Sequence, residues 1–312
     1  MSTTNAEIYD DKSPICVPFI TERLQLHITS GSTRPFIIGL NGVQGVGKTT
    51  LVRTLAETLR RDEGLETLVC SIDDFYLTHE DQVALAESMP DNKLVQVRGE
   101  PGTHDMMLAK DFFAAILNNS TTRVPQYDKS LFSGQGDRLP RSSWPELNAP
   151  GQSKVQVVIF EGWCVGFRPL SPIEVTSRYN APSRTLQSHA LEHLQFVNRK
   201  LEAYDAITNL FDAFIHIDAE DTEWVYDWRL EQEAMLRAQR GAGMSDEQVV
   251  RFVDAYYPAY ELFTKKLRSG LFADKLRLSR SLLTSLVLEN RVRNNAVICF
   301  PHDFHNALDI RS

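Results

Sequence analysis

The segment GVQGVGKT at residues 42–49 is the feature that most constrains how this chain can fold. It satisfies the pattern G-x-x-x-x-G-K-S/T, with an apolar run at residues 36–40 before it and leucines at positions 51, 55 and 59 after it. A strand, a glycine-rich loop and the start of a helix direct successive backbone N–H groups toward one anion, assisted by the positive end of the helix. The segment therefore predicts a phosphate-binding loop in a protein of mixed strands and helices.

The same segment assigns individual roles in nucleotide binding. Lys48 is expected to place its charge near the β and γ phosphates of ATP, and the hydroxyl of Thr49 is expected to bind Mg²⁺. A loop of this kind indicates where phosphates bind and leaves the reaction open. The residues predicted to contact ATP are Gly42, Val43, Gln44, Gly45, Val46, Gly47, Lys48, Thr49 and Thr50.

Apolar runs and amphipathic segments alternate along the chain. Predicted strands at 36–40, 68–72, 155–160 and 211–217 are separated by helical patterns, among them residues 105–117. Strands that alternate with helices usually pair in parallel. The sequence therefore predicts a three-layer α/β fold of the P-loop NTPase type, with a parallel sheet and a small helical lid.

The lid prediction comes from a charged helical pattern at 221–240, which is followed by Gly241 and Gly243 and then by a capping-box pair, Ser245 and Gln248. We expect the lid to occupy residues 219–245 of a P-loop domain at 35–280. The remaining regions are an N-terminal extension at 1–34 and a C-terminal tail at 281–312, whose structure the pattern does not assign. Residues 121–151 are rich in Pro, Gly and Ser and predict a long functional loop.

Charge and cysteine content argue against several classes of protein. The 312 residues carry a formal net charge of -8, which disfavours binding to nucleic acid phosphates or to anionic membranes. No apolar stretch approaches the roughly 20 residues that span a bilayer. The four dispersed cysteines suggest neither a zinc site nor a disulfide framework. We therefore expect a cytoplasmic protein, with a nuclear pool as an option, whose partner is a small molecule.

Other motifs help to separate the classes of P-loop protein. The guanine-specifying pattern N-K-x-D is missing, since the pair Asn92-Lys93 is followed by Leu94 and Val95. The triplet SGQ at 133–135 has the wrong order and setting for a transporter signature. Both observations weaken the GTPase and transporter interpretations.

Acidic residues follow two of the predicted strands directly. Asp73 and Asp74 come after the strand at 68–72, and Glu161 comes after the strand at 155–160. Ligands bind at the carboxyl ends of parallel strands, where a carboxylate can accept a proton from an acceptor hydroxyl or hold Mg²⁺. We predict Asp73 as the general base, with Asp74 as the alternative, and Glu161 as a magnesium ligand. Together these residues favour phosphoryl transfer.

A series of short motifs extends this interpretation: GVQGVGKTT, SIDDFYLT, RGEPGTHD, VPQYDKS, SGQGDR, FEGWCVGF and YDWRLEQE, in this order. Over residues 36–271 the chain resembles D-glycerate 3-kinase and its fungal relatives, within the wider group of uridine kinase, phosphoribulokinase and pantothenate kinase. The resemblance implies a P-loop sheet, ATP with Mg²⁺, and phosphoryl transfer to a small-molecule hydroxyl. The acceptor it implies first is D-glycerate, which would give 3-phosphoglycerate.

The resemblance also carries roles onto single residues. It implies Asp73 as the base, Glu161 as the acid at the end of its strand, and Arg229 as a lid arginine that neutralises charge on the transferred phosphoryl group. It places an acceptor pocket around the GTHD turn and the long loop, where Lys129 or Arg138 could contact a carboxylate. The residues predicted for this pocket are Asp74, His104, Asp105, Tyr127, Lys129 and Arg138.

Two alternatives stand beside a glycerate kinase. One is a kinase of a nucleoside or of a pantothenate-like alcohol, and the other is a catalytically silent ATP-binding regulatory protein. A regulator that only binds ATP needs neither a base nor a lid arginine. The combined presence of Lys48, Thr49, Asp73, Glu161 and Arg229 therefore favours an enzyme.

Overall fold

The computed structural model describes residues 12–241 and 243–271, with residues 239 and 240 given as backbone only, together with the backbone of 284–290 and 299–301. Most of the predicted C-terminal tail lies outside these residues. The strands, in chain order, are β1 (Phe36–Gly42), β2 (Thr67–Ser71), β3 (Thr122–Arg123), β4 (Tyr127–Asp128), β5 (Asp137–Arg138), β6 (Glu146–Leu147), β7 (Val157–Gly162), β8 (Ala213–Ala219), β9 (Thr284–Asn290) and β10 (Cys299–Pro301).

The helices surround the main sheet, and two of them form the segment predicted as a lid. Within the described residues, none is both long enough and apolar enough to cross a membrane. In chain order they are α1 (Ser13–Thr29), α2 (Lys48–Arg61), α3 (His79–Ser88), α4 (Met106–Leu117), α5 (Pro172–Tyr179), α6 (Leu191–Lys200), α7 (Asp205–Thr208), α8 (Trp224–Arg240), α9 (Asp246–Asp254) and α10 (Tyr257–Arg268).

The main sheet has the strand order β10-β9-β8-β1-β7-β2. Neighbouring strands from β2 to β9 pair in parallel, and β10 is antiparallel to β9. Every residue of β1 and of β8 is buried. Strands that are buried along their whole length have both faces of the sheet covered. The α/β fold with a parallel sheet between helical layers is therefore confirmed.

The predicted N-terminal extension contributes to the hydrophobic core. Cys16, Ile20 and Leu24 of α1 are buried at spacings of four residues, which place them on one face of the helix. Helix α1 contacts both α2 and β8. Cys70 and Cys164 are buried as well.

The lid segment and the long loop follow their sequence signals closely. Helix α8 ends at Gly241, which has a left-handed backbone conformation, and α9 begins with the capping box of Ser245 and Gln248. The loop at 121–151 contains two short antiparallel ribbons, β3 with β6 and β4 with β5. The second ribbon brings Lys129 toward the carboxyl end of β2.

Candidate active site

The phosphate loop runs from the end of β1 to the start of α2. Gly45 and Gly47 have φ angles of 87° and 89°, in the left-handed region that glycine enters without strain. A Cβ atom on Gly45 would lie 2.6 Å from the Cβ atom of Trp228, so a side chain here would collide with helix α8. The loop therefore requires glycine at position 45 both for its conformation and for the close approach of the lid.

Lys48 is the first residue of α2, and its side chain folds back over the loop. Its Nζ atom donates to the carbonyl oxygens of Gly42 at 2.7 Å and Val43 at 3.1 Å. Burial lowers the pKa of Lys48, while the negative charges of Glu161 and Asp73 act in the opposite direction. The ammonium group therefore lies within electrostatic reach of both predicted acids.

Glu161 reaches the site through the register of the sheet. Its neighbours across the sheet are Leu40 of β1 and Ser71 of β2. The side chain of Asn41 donates to the carbonyl oxygen of Trp163 at 2.9 Å, which fixes the chain directly after β7. Glu161 therefore lies beside the strand that leads into the phosphate loop, at the carboxyl edge of the sheet.

A turn of 3-10 helix at Ile72–Phe75 follows β2 and separates the two neighbouring aspartates. The Oγ atom of Ser71 accepts a hydrogen bond from the backbone N–H of Asp73 at 3.3 Å. The carboxylate of Asp74 accepts one from the backbone N–H of Ser71 at 3.1 Å. This capping box commits the Asp74 side chain to the turn, so the Asp73 carboxylate is the one that reaches the site.

The two oxygen atoms of the Asp73 carboxylate have different surroundings. Its Oδ2 atom accepts a hydrogen bond from Nζ of Lys129 at 2.5 Å, whereas its Oδ1 atom is buried and has no hydrogen-bond partner among the described residues. Burial by itself would raise the pKa of Asp73, but the charge and the hydrogen bond of Lys129 outweigh it and hold the pKa below its ordinary value. Asp73 is therefore ionised at neutral pH.

Asp74 has a different protonation behaviour. Burial raises the pKa of Asp74 to about 6, although its hydrogen bond with the backbone of Ser71 acts in the opposite direction. The two adjacent acids therefore differ in pKa as well as in geometry.

A cavity of about 460 Å³ lies at the carboxyl edge of the sheet. Its wall combines the phosphate loop, the turn after β2, the end of β7, the long loop and helix α8. The predicted residues that line it are Gln44, Gly45, Lys48, Thr49, Asp73, Lys129, Glu161 and Arg229. Residues far apart in the sequence are therefore brought together around one space.

Arg229 lines this cavity from the lid. Its Nη2 atom pairs with Glu233 at 3.2 Å, and its guanidinium group lies 5.0 Å from the ring centre of Phe252 in α9. Glu233 is buried and also accepts a hydrogen bond from the backbone N–H of Met244 at 2.8 Å. Arg229 therefore connects α8 to α9 while it forms part of the cavity wall.

Of the six residues predicted for the acceptor pocket, Lys129 is the one that lines the cavity. His104 is buried behind the wall, where its ring stacks on Tyr76 with ring centroids 4.4 Å apart and its Nδ1 atom lies 2.7 Å from the hydroxyl of Tyr204. Burial lowers the pKa of His104 to about 4, so the ring is neutral at pH 7. His104 supports Tyr76, which itself lines the cavity.

Asp105 and Arg138 pair with each other and do not line the cavity. The Nη2 atom of Arg138 lies 3.1 Å from the carboxylate of Asp105 and 2.8 Å from the carbonyl oxygen of Tyr76. Asp105 also caps α4 by accepting a hydrogen bond from the backbone N–H of Leu108. Tyr127 packs its ring edge against Tyr76, with centroids 5.4 Å apart. These side chains hold the long loop against the turn that carries Asp73.

Eight residues of the cavity wall were not predicted from the sequence: Ser71, Tyr76, Arg98, Gly162, Trp163, Gln232, Phe252 and Tyr256. Arg98 is the first residue of the RGEPGTHD motif, and Trp163 directly follows the FEG motif. These motifs were the sequence signal from which both residues could have been predicted. Phe252 and Tyr256 lie in α9 and just after it, in a segment without a motif. They reach the wall because α9 packs against α8.

Comparisons with known proteins agree with this geometry. No protein-family model matches the chain. An uncharacterized kinase of Schizosaccharomyces pombe, mug58, is 40% identical over 262 residues, which cover 83% of this chain and 90% of that protein. The chloroplastic D-glycerate 3-kinase of Arabidopsis thaliana is 39% identical over 238 residues, which cover 75% of this chain and 48% of the plant protein, about half its length.

Among solved structures, a D-glycerate 3-kinase from Cryptococcus neoformans superimposes with a TM-score of 0.81 at 31% sequence identity. The match covers 94% of this chain and all of the fungal one (100%). The similarity therefore extends over nearly the whole fold, in sequence as well as in structure.

Proposed function

The chain belongs to the D-glycerate 3-kinase family, and on this premise we propose that it transfers the γ-phosphoryl group of ATP to a hydroxyl group of D-glycerate, giving 3-phosphoglycerate and ADP. The observation that carries the proposal is the convergence of the phosphate loop, the ionised Asp73 and the lid residue Arg229 on one cavity. A kinase site needs these parts close together, because phosphoryl transfer depends mainly on positioning and on charge stabilisation.

The phosphate loop supports the donor half of the reaction. Its backbone N–H groups and the start of α2 suit the phosphates of ATP, and Lys48 adds a positive charge. Thr49 and Glu161 fit a Mg²⁺ ion, because both line the cavity and offer one hydroxyl and one carboxylate. Mg²⁺ is commonly held by few protein oxygens together with substrate phosphates and water, and when bound it neutralises phosphate charge.

Asp73 supports the acceptor half. We assign it as the general base that receives the proton of the acceptor hydroxyl, for which its unsatisfied Oδ1 atom is suited. As that proton leaves, the acceptor oxygen bonds to the γ-phosphorus, and the bond from phosphorus to the bridging oxygen breaks to release ADP. Lys48 and Arg229 lie in the same wall and would stabilise the charge on the transferred group.

Lys129 is expected to control the pH range in which Asp73 acts. A carboxylate with a depressed pKa stays ionised as the pH falls and loses its charge only at its lowered pKa. In Lys129→Met the charge and the hydrogen bond that offset burial are gone, so the pKa of Asp73 should rise and the acid limb of kcat/KM for the acceptor should move to higher pH. The measurement is a rate profile between about pH 4 and 8.

The matched control for Lys129 is Lys110→Met, because Lys110 is an exposed lysine on α4 that does not line the cavity. Its acid limb should coincide with that of the wild type. If the acid limb of Lys129→Met also coincides with that of the wild type, the assignment of Lys129 as the group that sets the protonation of Asp73 is wrong.

The proposed acceptor is tested by ADP release over a panel of D-glycerate, uridine, pantothenate and sugar alcohols. We expect acceptor-dependent ADP release with D-glycerate and little with the others. Faster release with uridine or pantothenate would indicate a kinase for that acceptor instead. ATP binding without ADP release for any acceptor would favour the regulatory protein.

A further inference from the structure

Four positively charged side chains line the cavity: Lys48, Arg98, Lys129 and Arg229. Lys129 pairs with Asp73 at 2.5 Å, and Arg229 pairs with the buried Glu233 at 3.2 Å. Lys48 donates to carbonyl oxygens inside the phosphate loop. Three of the four are therefore engaged with acids of the site or with the phosphate loop.

Arg98 differs from the other three, because no acidic side chain pairs with it within the part of the chain that the structure describes. Its hydrogen bonds there all run from Nη1, to the carbonyl oxygens of Gly134, at 2.7 Å, and of Gln135. A guanidinium group has five N–H donors in a fixed plane. The Nε and Nη2 edge of Arg98 is therefore available to an anion.

The position of Arg98 is fixed from two directions. Its guanidinium carbon lies 5.7 Å from the ring centre of Tyr127, and Nη1 is held by the turn at 134–135. The next residue, Gly99, donates its backbone N–H to Oγ1 of the buried Thr103 at 2.9 Å. An arginine restrained in this way loses little conformational freedom when it binds a ligand.

We propose that Arg98 binds the carboxylate of the acceptor and thereby selects a hydroxy acid over an uncharged alcohol. The inference rests on the proposed function, since it assigns one end of the same acceptor. A carboxylate entering a cavity that also contains Asp73 and Glu161 needs a cation that is not already neutralised. Planar guanidinium groups bind carboxylates through two parallel hydrogen bonds.

This assignment replaces the two carboxylate contacts that the sequence suggested. Arg138 is paired with Asp105 outside the cavity wall, and Lys129 is paired with Asp73 inside it. A carboxylate at Arg98 would leave the Lys129–Asp73 pair intact. The acceptor would then lie with its charged end at Arg98 and its reacting hydroxyl toward Asp73.

The test compares D-glycerate with D-glyceramide, in which an amide replaces the carboxylate, in Arg98→Gln and Arg98→Lys. In Arg98→Gln the charge-assisted hydrogen bonds to the carboxylate are lost. The ratio of kcat/KM for D-glycerate to kcat/KM for D-glyceramide should therefore fall about 10- to 100-fold. Arg98→Lys should keep part of the preference because it keeps the charge. KM for ATP should remain within about threefold in both variants, since the inference places Arg98 at the acceptor end.

The acceptor ratio separates binding from a merely structural role. If Arg98 only anchored the turn at 134–135, its replacement would slow both acceptors equally and leave the ratio unchanged, which would overturn the inference. Arg141→Gln is the matched control. Arg141 is exposed in the same long loop, and its guanidinium carbon lies 5.9 Å from the ring centre of Trp144. If wild-type protein fails to phosphorylate D-glycerate at all, the proposed function and this inference both fall.

Discussion

Replacing Lys48 by alanine is expected to lower kcat by about 100- to 1,000-fold, the usual consequence of removing one preorganised group that stabilises transition-state charge. The Nζ atom of Lys48 is held at the mouth of the phosphate loop by the carbonyl oxygens of Gly42 and Val43, close to the acids Asp73 and Glu161. Among the cavity-lining residues, Lys48 is the one cation that the phosphate loop and α2 supply, because Arg98, Lys129 and Arg229 belong to other parts of the chain.

The fold of Lys48→Ala should remain intact. Burial already disfavours the charged form of this lysine, as its lowered pKa indicates, so its removal takes away no large stabilising contribution. Steady-state kinetics and thermal unfolding of the purified variant check both statements, with Lys110→Ala on the exposed side of α4 as control. If Lys48→Ala turned over at the wild-type rate, the assignment of the phosphate loop to phosphoryl transfer would be wrong.

Replacing Asp73 by asparagine is expected to lower kcat by about 100- to 10,000-fold, the range attributed to a general acid or base. Asparagine has nearly the same shape but cannot take the proton of the acceptor hydroxyl. KM for ATP should change little, because the phosphate loop is untouched. Lys129, the partner of Asp73, is largely exposed, so water can solvate its charge in the variant.

Two further variants test whether Asp73, and not Asp74, is the general base. In Asp74→Asn we expect a smaller loss than in Asp73→Asn, because the Asp74 carboxylate is occupied by the backbone of Ser71 and does not line the cavity. Asp111→Asn, on the exposed face of α4, should behave as wild type. A larger loss in Asp74→Asn than in Asp73→Asn would exchange the roles of the two acids.

The donor side could be predicted from the sequence because its geometry is local. Residues 42–49 lie between one strand and one helix, and their spacing alone brings the loop, Lys48 and Thr49 together. Asp73 and Glu161 could be placed because each comes at the carboxyl end of a predicted strand, and parallel strands end at a common edge. Helices α8 and α9 could be predicted from the charged pattern, the glycine break and the capping box.

The acceptor side could not be predicted to the same extent, because it depends on which charged groups pair after folding. The sequence contains Arg98, Lys129 and Arg138 near recognised motifs, and nothing in their spacing indicates that two of them are paired with acids. These pairs form when the ribbon of β4 and β5 folds back onto the turn after β2. Arg98 differs from Lys129 and Arg138 because those two are paired with Asp73 and Asp105 in the folded structure.

The strands of the C-terminal region could not be predicted from the sequence pattern either. The tail after Arg280 has no clear apolar register, yet its backbone provides β9, which pairs in parallel with β8 along its length, and β10. Strand β9 lies next to β8 in the sheet, but α8, α9 and α10 separate the two strands in the sequence. Pairing over such a distance leaves no local periodic signal.

The most direct test of phosphoryl transfer to D-glycerate is the identity of the reaction product. Wild-type protein is incubated with ATP, Mg²⁺ and D-glycerate, and the products are followed by phosphorus NMR, with L-glycerate in a parallel sample. We expect a new phosphate ester whose signal is split by the two protons of the terminal carbon, formed in equal amount with ADP. Release of inorganic phosphate alone, or no change in the ATP signals, would contradict phosphoryl transfer to D-glycerate.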